Sequence, residues 1–259
     1  QTGPGLDRDK AMTEAWSARV LKAFGDSAAQ YDASAELQAD MSSQLAGRCR
    51  NSPIPRGLWV DLGSGTGRLA DAIEQQHPGQ SVLRVDGSEA MLRTQRSTRP
   101  TLLHDLNEAL PDWSSPPALL CSSFVLHWLH APANRMRHWY DQLAPGGWLA
   151  LTVPVEGSFE QWHQAAERAE VPCTALPFPR LELLLAAVPQ QAVRWQHMQR
   201  IHRVGRHPLE LLRPMIRTGA DTTPIAGIGP SAWRRIFQNW PEPDRPTLSW
   251  HVFTLMLQR

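Results

Sequence analysis

The chain has 259 residues, enough for one large α/β domain, or a small catalytic domain with insertions, around a substantial core. Hydrophobic residues make up 42% and charged residues 20%, which excludes wholesale disorder, and no apolar run approaches the length of a bilayer span. With 26 Lys+Arg against 25 Asp+Glu the formal net charge is +1, so a global polycation for nucleic acid is not indicated, although local basic patches remain open.

The three cysteines, Cys49, Cys121 and Cys173, form no CxxC pair and no zinc pattern, and they fit a reducing cytoplasm. Only Lys10 and Lys22 are lysines, so nearly all the basic residues are arginines, whose planar fork suits carboxylates and phosphates. Residues 1–5 read as a loose tail without the apolar core of a signal peptide.

In chain order, the first elements are helical. Trp16, Val20, Phe24 and Tyr31 recur at helical steps over 15–31, and a second short helix is expected over 33–48. A breaker stretch at 51–56 leads into alternating strands and helices. Strands are expected at 57–62, 81–86, 101–104, 118–123 and 148–153, with helices at 68–76, 88–96 and 132–143. Repeated β-α-β units imply a doubly wound, mostly parallel sheet with right-handed crossovers. After Pro154 the pattern gives helices at 157–170 and 180–187, then long strands at 192–204 and 247–257 that pair antiparallel at one edge. Helices at 207–217 and 230–240 between those strands would form a lid. The expected division is N-terminal helices over 1–50, a core over 51–156, and lid insertions with the last two strands over 157–259, all in one structural domain.

The strongest motif is Val60-Asp61-Leu62-Gly63-Ser64-Gly65-Thr66-Gly67, at the carboxyl end of the first strand, where doubly wound sheets bind ligands. Its GxGxG spacing differs from the GxGxxG of a dinucleotide turn and suits a compact nucleoside better than a pyrophosphate. Asp86 ends the second strand and can accept hydrogen bonds from both ribose hydroxyls. Asp61 is placed to receive a cationic amine, directly or through water. A nucleoside carrying an amino-acid group is S-adenosyl-L-methionine. The plainer alternative is a tight turn whose glycines serve packing alone.

From 57 to 153 the sequence resembles the class I S-adenosylmethionine-dependent methyltransferases, which implies a Rossmann-like, seven-stranded α/β fold with an antiparallel edge strand. The resemblance implies that Gly63, Ser64, Gly65 and Gly67 line the methionine portion and that Asp86, followed by Gly87, holds the ribose. Asp105 and Leu106 match the segment facing the adenine, although Asp105 also reads as a helix cap. Ser122 and Ser123 end the fourth strand, where the family places the transferred methyl.

The fourth strand continues as Phe124-Val-Leu-His127-Trp128, without the Asn/Asp-Pro-Pro-aromatic pattern of base methylation, which disfavours a nucleic-acid substrate. No acidic triplet for a divalent metal is present, so no metal cofactor is expected. Phe24, Ala28-Ala29, Tyr31-Asp32 and Leu37-Gln38 are similar to the amino-terminal signature of the malonyl-acyl-carrier-protein O-methyltransferases of biotin synthesis. Phe124 to Trp128 resembles that family's strand-four segment, with His127 where Gln is usual. The closing Leu248-Ser-Trp250 departs from its usual Leu-Thr-Tyr, and Arg217-Thr218-Gly219-Ala220 keeps part of its glycine-rich lid run. The resemblance implies methyl transfer to the carboxylate of malonyl-acyl-carrier protein, or malonyl-CoA, with S-adenosyl-L-homocysteine as product, in the cytoplasm and without membrane attachment.

A malonyl carboxylate is ionised at neutral pH, so its attack needs alignment and partial desolvation but no general base. Tyr31 is the first candidate for a positioning residue, with an amphipathic core tyrosine as the alternative. His127 and Trp128 are candidates for the acceptor wall, and a satisfied structural histidine is the competing reading. Among the lid arginines Arg203, Arg206, Arg213 and Arg217, the last is the first choice to anchor the acceptor carboxylate. The same arginines are alternatively a surface for an acidic carrier protein and its phosphopantetheine phosphate. Other acceptors stay open: another carboxylic acid, or a quinone-like carbon for which His127 would serve as base. Two other classes, a nucleotide-binding oxidoreductase and a non-catalytic binding module, are opposed by the GxGxG spacing and by the intact cofactor turn.

Overall fold

A computed structural model describes the backbone of residues 4–259 and the side chains of residues 14–259. Among the described residues seven strands form one sheet: β1 (Trp59–Leu62), β2 (Val82–Asp86), β3 (Thr101–Leu103), β4 (Leu119–Ser123), β5 (Trp148–Pro154), β6 (Val193–Val204) and β7 (Thr247–Gln258). Their order is β3-β2-β1-β4-β5-β7-β6. The first five are parallel, and β7 runs antiparallel to both β5 and β6. β1 and β5 are buried along their whole length, as expected where helices cover both faces of a parallel sheet. The outermost strand β6 is mostly exposed, and its Arg, Gln and His side chains suit a solvated edge.

The helices are α1 (Pro4–Ser27), α2 (Tyr31–Ser34), α3 (Glu36–Arg50), α4 (Arg68–Gln76), α5 (Glu89–Arg93), α6 (Pro132–Gln142), α7 (Glu160–Arg168), α8 (Leu181–Ala186), α9 (Pro208–Thr218) and α10 (Pro230–Gln238). Each expected helix and strand is present, with ends shifted by a few residues. The helix expected over 15–31 is broken. The Ser27 hydroxyl donates back to the Ala23 carbonyl at 2.9 Å, a bond that loosens a helix end, and a 3-10 turn at Ala28–Gln30 sets off α2 from α1. Of the tail expected at 1–5, residues 1–3 lie outside the described residues, whereas Pro4 and Gly5 belong to α1, where a first-turn proline costs no hydrogen bond.

Apolar side chains form four clusters among the described residues. One apolar cluster joins Leu62, Val85, Leu120, Trp139, Leu151 and Leu255 beneath the sheet. A second unites Phe124, Phe159, Trp162, Leu212, Ile236 and Trp250 above the carboxyl ends of the parallel strands. The register explains the second. β7 pairs with β5 only over residues 252–258, whereas its pairing with β6 continues to Thr247↔Val204. Residues 247–251 therefore project past β5 as a two-stranded ribbon, which carries Leu248 and Trp250 up to α7, α9 and α10.

Candidate active site

The turn after β1 is held from three sides. The Gly63 and Ser64 N–H groups donate to the Val85 carbonyl at 2.8 and 2.9 Å, and Gly65 N–H donates to Asp86 Oδ2 at 2.8 Å. Gln95 Nε2 braces the turn from behind, donating to the Gly65 carbonyl at 2.7 Å and to Ser64 Oγ at 3.1 Å. Gly63 has φ +76°, and a Cβ there would lie 2.3 Å from Val125 Cγ2, so no larger residue fits.

A cavity, partly open to solvent, lies in front of this turn. Gly63, Gly65, Asp86, Gly87, Asp105 and Leu106 line it, and Ser17, Val20, Leu21 and Phe24 of α1 cover it. The helix is pinned there: Ser17 Oγ is 2.8 Å from His130 Nε2, and Asn107 Nδ2 donates to Ser17 Oγ at 3.4 Å. Asp105 caps no helix. Its Oδ1 accepts from the Asn107 backbone N–H at 2.9 Å, closing a turn at the cavity wall. Asp86 accepts from Ser88 N–H and Gly65 N–H, and burial nevertheless holds its carboxyl above the usual range.

Four candidates lie outside the cavity lining. Ser122 is enclosed in the sheet, its Oγ donating to the Leu62 carbonyl at 2.7 Å, and Ser123 lines the cavity instead. The alternation of side chains along a strand separates the two serines. Ser64 and Gly67 face Gln95. Asp61 lies 1% exposed beneath the turn, with Oδ2 enclosed and unpartnered. Burial pushes its carboxyl up to about 7, against the pull of Arg84. Arg84 is itself fully enclosed and donates to Asp71, Glu74 and the Val82 carbonyl.

A second cavity, of about 820 Å³, adjoins the first. Phe24, Tyr31, Phe124 and Trp128 line both and frame their junction. The rest of its wall adds the rings of His127, Phe159, Trp162, Phe178, Trp233 and Trp250 to aliphatic and small polar residues. Phe124 and Phe159 hold left-handed backbone conformations, φ 59° and 63°, which bulky residues adopt at a cost of about 1–3 kcal/mol. Both aim a ring into this chamber, so the strain is tied to shaping it. Tyr31 stands at the junction as a neutral phenol, its pKa raised by burial and by Asp86 and Asp32. His127 also lines the chamber, and burial pushes its pKa down to about 3.

Arg217 is displaced from its expected place. Among the described residues no arginine or lysine lines the chamber, and Asp221 is the one charged lining residue. Arg203, Arg213 and Arg217 instead line a surface groove that shares Gln38, Met215 and Trp250 with the chamber wall. On α9 the apolar Leu212 and Met215 turn inward, and the arginines follow the helical period to the outside. Phe159, Trp162, Phe178 and Trp233 were missed in the sequence because they come from three separate segments without a shared local pattern. The paired Trp and Phe on the amphipathic lid helices were the available signal. Among the described residues, no group of three or more His, Cys, Asp or Glu is placed to hold a metal ion, and no helix is long and apolar enough to cross a membrane.

The first cavity fits S-adenosylmethionine on its own features: an acidic strand end at Asp86, an open wall at Gly65 where an added Cβ would meet nothing within 4 Å, and the Asp105-Leu106 segment beyond. Comparison with known proteins agrees. Trans-aconitate 2-methyltransferase of Mycobacterium tuberculosis is 33% identical over 114 residues, 42% of this chain and 41% of that protein. Malonyl-[acyl-carrier protein] O-methyltransferase of Methylococcus capsulatus is 30% identical over 147 residues, 55% of this chain and 54% of that protein. These matches span about half the length of the curated relatives, or less. A solved S-adenosylmethionine-dependent methyltransferase from Thermotoga maritima shares the fold at 14% identity and a TM-score of 0.53, over 92% of this chain and 99% of that one. The methyltransferase-domain family model matches residues 33–202, most of the chain, so the chain belongs to that family and has the class I S-adenosylmethionine-dependent methyltransferase fold.

Proposed function

We propose that the chain methylates the free carboxylate of a malonyl thioester, carried by acyl-carrier protein or coenzyme A, to the methyl ester that opens biotin synthesis. The observation that carries this reading is the run of three adjoining spaces: the cofactor cavity, the aromatic-lined chamber, and the surface groove where Arg203, Arg213 and Arg217 stand beside Glu36 and Glu210. Together they suit an acceptor on a long arm whose other end is anionic. Arg213 and Arg217 have no carboxylate partner among the described residues, and Arg203 has only Asp40 at 3.9 Å, so their charge is available to a phosphate or an acidic protein.

The chamber supplies what a carboxylate nucleophile needs. When bound, S-adenosylmethionine would supply a sulfonium methyl to a carboxylate oxygen, with S-adenosylhomocysteine as the leaving thioether. Asp86, Gly65 and the Asp105 segment would hold the cofactor's nucleoside. Phe24, Tyr31, Phe124 and Trp128 frame the passage, exclude water and fix the line of approach. His127, with a pKa of about 3, is too weak a base to take a proton from carbon at neutral pH, which speaks against the quinone-like carbon acceptor.

One observation favours a second reading. Asp221 is an exposed carboxylate at the edge of a chamber that aromatic rings also line, and carboxylate with rings is the chemistry that recognises a cationic amine. Intact-mass analysis of malonyl- and acetyl-carrier protein after incubation with the chain and S-adenosylmethionine, beside a panel of primary amines, separates the two. A one-methyl gain on the malonyl form alone is the expected result. Gain on an amine, with the malonyl form unchanged, would sink the carboxylate reading.

A further inference from the structure

An arginine was the expected anchor for the acceptor, yet among the described residues none lines the chamber. Its polar lining is neutral apart from Asp221. Within that lining His127 stands out. It follows β4 in the 3-10 turn Leu126–Trp128, one residue before the junction, and is only 6% exposed. Three rings fix its imidazole: Phe124 edge-on at 6.1 Å, Trp128 at 5.0 Å and Phe178 at 5.6 Å between centroids. Nδ1 is enclosed without a partner. Nε2 has no hydrogen-bond partner among the described residues either and is not enclosed, so it is the ring atom open to the chamber.

A buried polar ring with neither nitrogen satisfied is rare in a purely structural role, because histidines in cores normally spend at least one nitrogen on a backbone or side-chain partner. The three aromatic neighbours also leave no counter-charge for an imidazolium, in keeping with the depressed basicity of the ring. The ring is therefore a fixed, neutral group whose only open polar atom points into the acceptor space. A carboxylate accepts hydrogen bonds and cannot donate, so its arrival selects the tautomer with the proton on Nε2.

We infer that His127 holds the acceptor carboxylate, donating Nε2–H to one oxygen and leaving the other free to attack the methyl. The inference rests on the carboxylate reading above. Its chemical logic concerns nucleophilicity. A guanidinium would bind the carboxylate more tightly, but it would pull electron density from both oxygens of a symmetric fork. One neutral N–H orients the group and quenches it less. Desolvation by the surrounding rings then raises the reactivity of the remaining oxygen. The proton stays on Nε2 throughout, since no base is required and the product ester oxygen is still a hydrogen-bond acceptor.

The test compares His127→Phe, which fills the same aromatic niche without the N–H, with His127→Gln, which keeps a neutral N–H donor. Methylation of malonyl-carrier protein gives kcat and KM, and calorimetry with S-adenosylhomocysteine reports the cofactor site. Expected is a loss on the order of 10- to 100-fold in kcat/KM for the Phe variant, the range for a hydrogen bond to a charged group, with the Gln variant restored to within several-fold of wild type. Cofactor affinity should stay within about twofold in both, since His127 does not line that cavity. Full activity of the Phe variant, or equal loss in both variants, overturns the assignment while leaving the carboxylate reading standing. Absence of malonyl methylation by the wild-type chain overturns both. Should the Phe variant not fold, the 15N spectrum of the wild-type imidazole with malonyl-pantetheine reads the same bond: a shift of Nε2 supports it, and an unchanged ring refutes it.

Discussion

The cofactor cavity and the acceptor chamber lie side by side and share four residues, but they are built differently. The floor of the first is set by backbone at strand ends, the Gly63–Gly65 turn, the end of β2 at Asp86-Gly87 and the Asp105-Leu106 segment, and side chains such as Leu21, Phe24 and Met91 close over it. Each wall is one strand end of a parallel sheet, so the sheet itself sets the spacing. The chamber is walled by side chains, half of them aromatic, from the first three helices, the turn after β4, α7, α9, α10, the ribbon of β7 and the loop between α7 and α8. Here the fold supplies only a platform. Shape comes from ring-on-ring packing, as in Trp250 against Phe159 at 4.4 Å and Trp162 against Trp233 at 5.6 Å. A backbone-built site tolerates little change in sequence, whereas a side-chain-built site can be refitted to a new acceptor over the same cofactor.

The sharpest break of this contrast is at Gly63. Alanine there would combine a positive φ with a 2.3 Å approach to the branched Val125 side chain, which flexing of a long chain end cannot relieve. Gly63→Ala should cost about 3 kcal/mol of local stability and weaken S-adenosylhomocysteine binding by on the order of 100-fold. Thermal unfolding and calorimetry check both. Unchanged binding would mean that the turn is not the cofactor wall.

Next in size is the seat of the lid. Gly219 ends α9 at φ +76°, and a Cβ there would lie 2.6 Å from the Ala23 carbonyl carbon and oxygen in α1. The glycine thus lets the lid rest on the helix that covers the cofactor. Gly219→Ala should push α9 away and lower kcat/KM for the acceptor roughly tenfold, with a smaller loss of cofactor affinity. Equal losses at both sites would show that the two halves are one cooperative unit.

The same contrast explains what could be read from the sequence. The strand and helix positions and the glycine turn with Asp86 at the next strand end were legible because they repeat a local grammar, strand then tight turn then helix, within a few residues. Ser122 against Ser123 was not, because a motif places a strand end but not the face each residue takes. Arg217 was misplaced for a related reason: its proximity to the lid glycine is a fact of sequence, whereas the helical period turns it out to the groove. The chamber was least legible. Phe124 and Trp250 touch at 5.9 Å across 126 positions (250 − 124), and no local pattern encodes such a contact.

The smallest effect should come from Asp61, which belongs to the cofactor half without lining its cavity. Its carboxyl, held up at about 7 by burial, has an ordinary value of 3.8 in the unfolded chain. Between those values the folded state binds more protons, so the contribution of Asp61 to the stability of the free protein is largest at low pH and is lost as pH rises through about 7. Cofactor binding should run the other way. The amine of S-adenosylhomocysteine is cationic, and it is favoured only by the ionised carboxylate, so affinity should tighten with rising pH across the same window. The carboxylate acts through the turn and not by contact, so a change of about fivefold between roughly pH 6 and 8 is expected. Asp61→Asn should flatten both trends at once. If the affinity slope survives in the Asn variant while the stability slope disappears, Asp61 is a buried structural charge under Arg84 and the amine is sensed elsewhere in the backbone-built half.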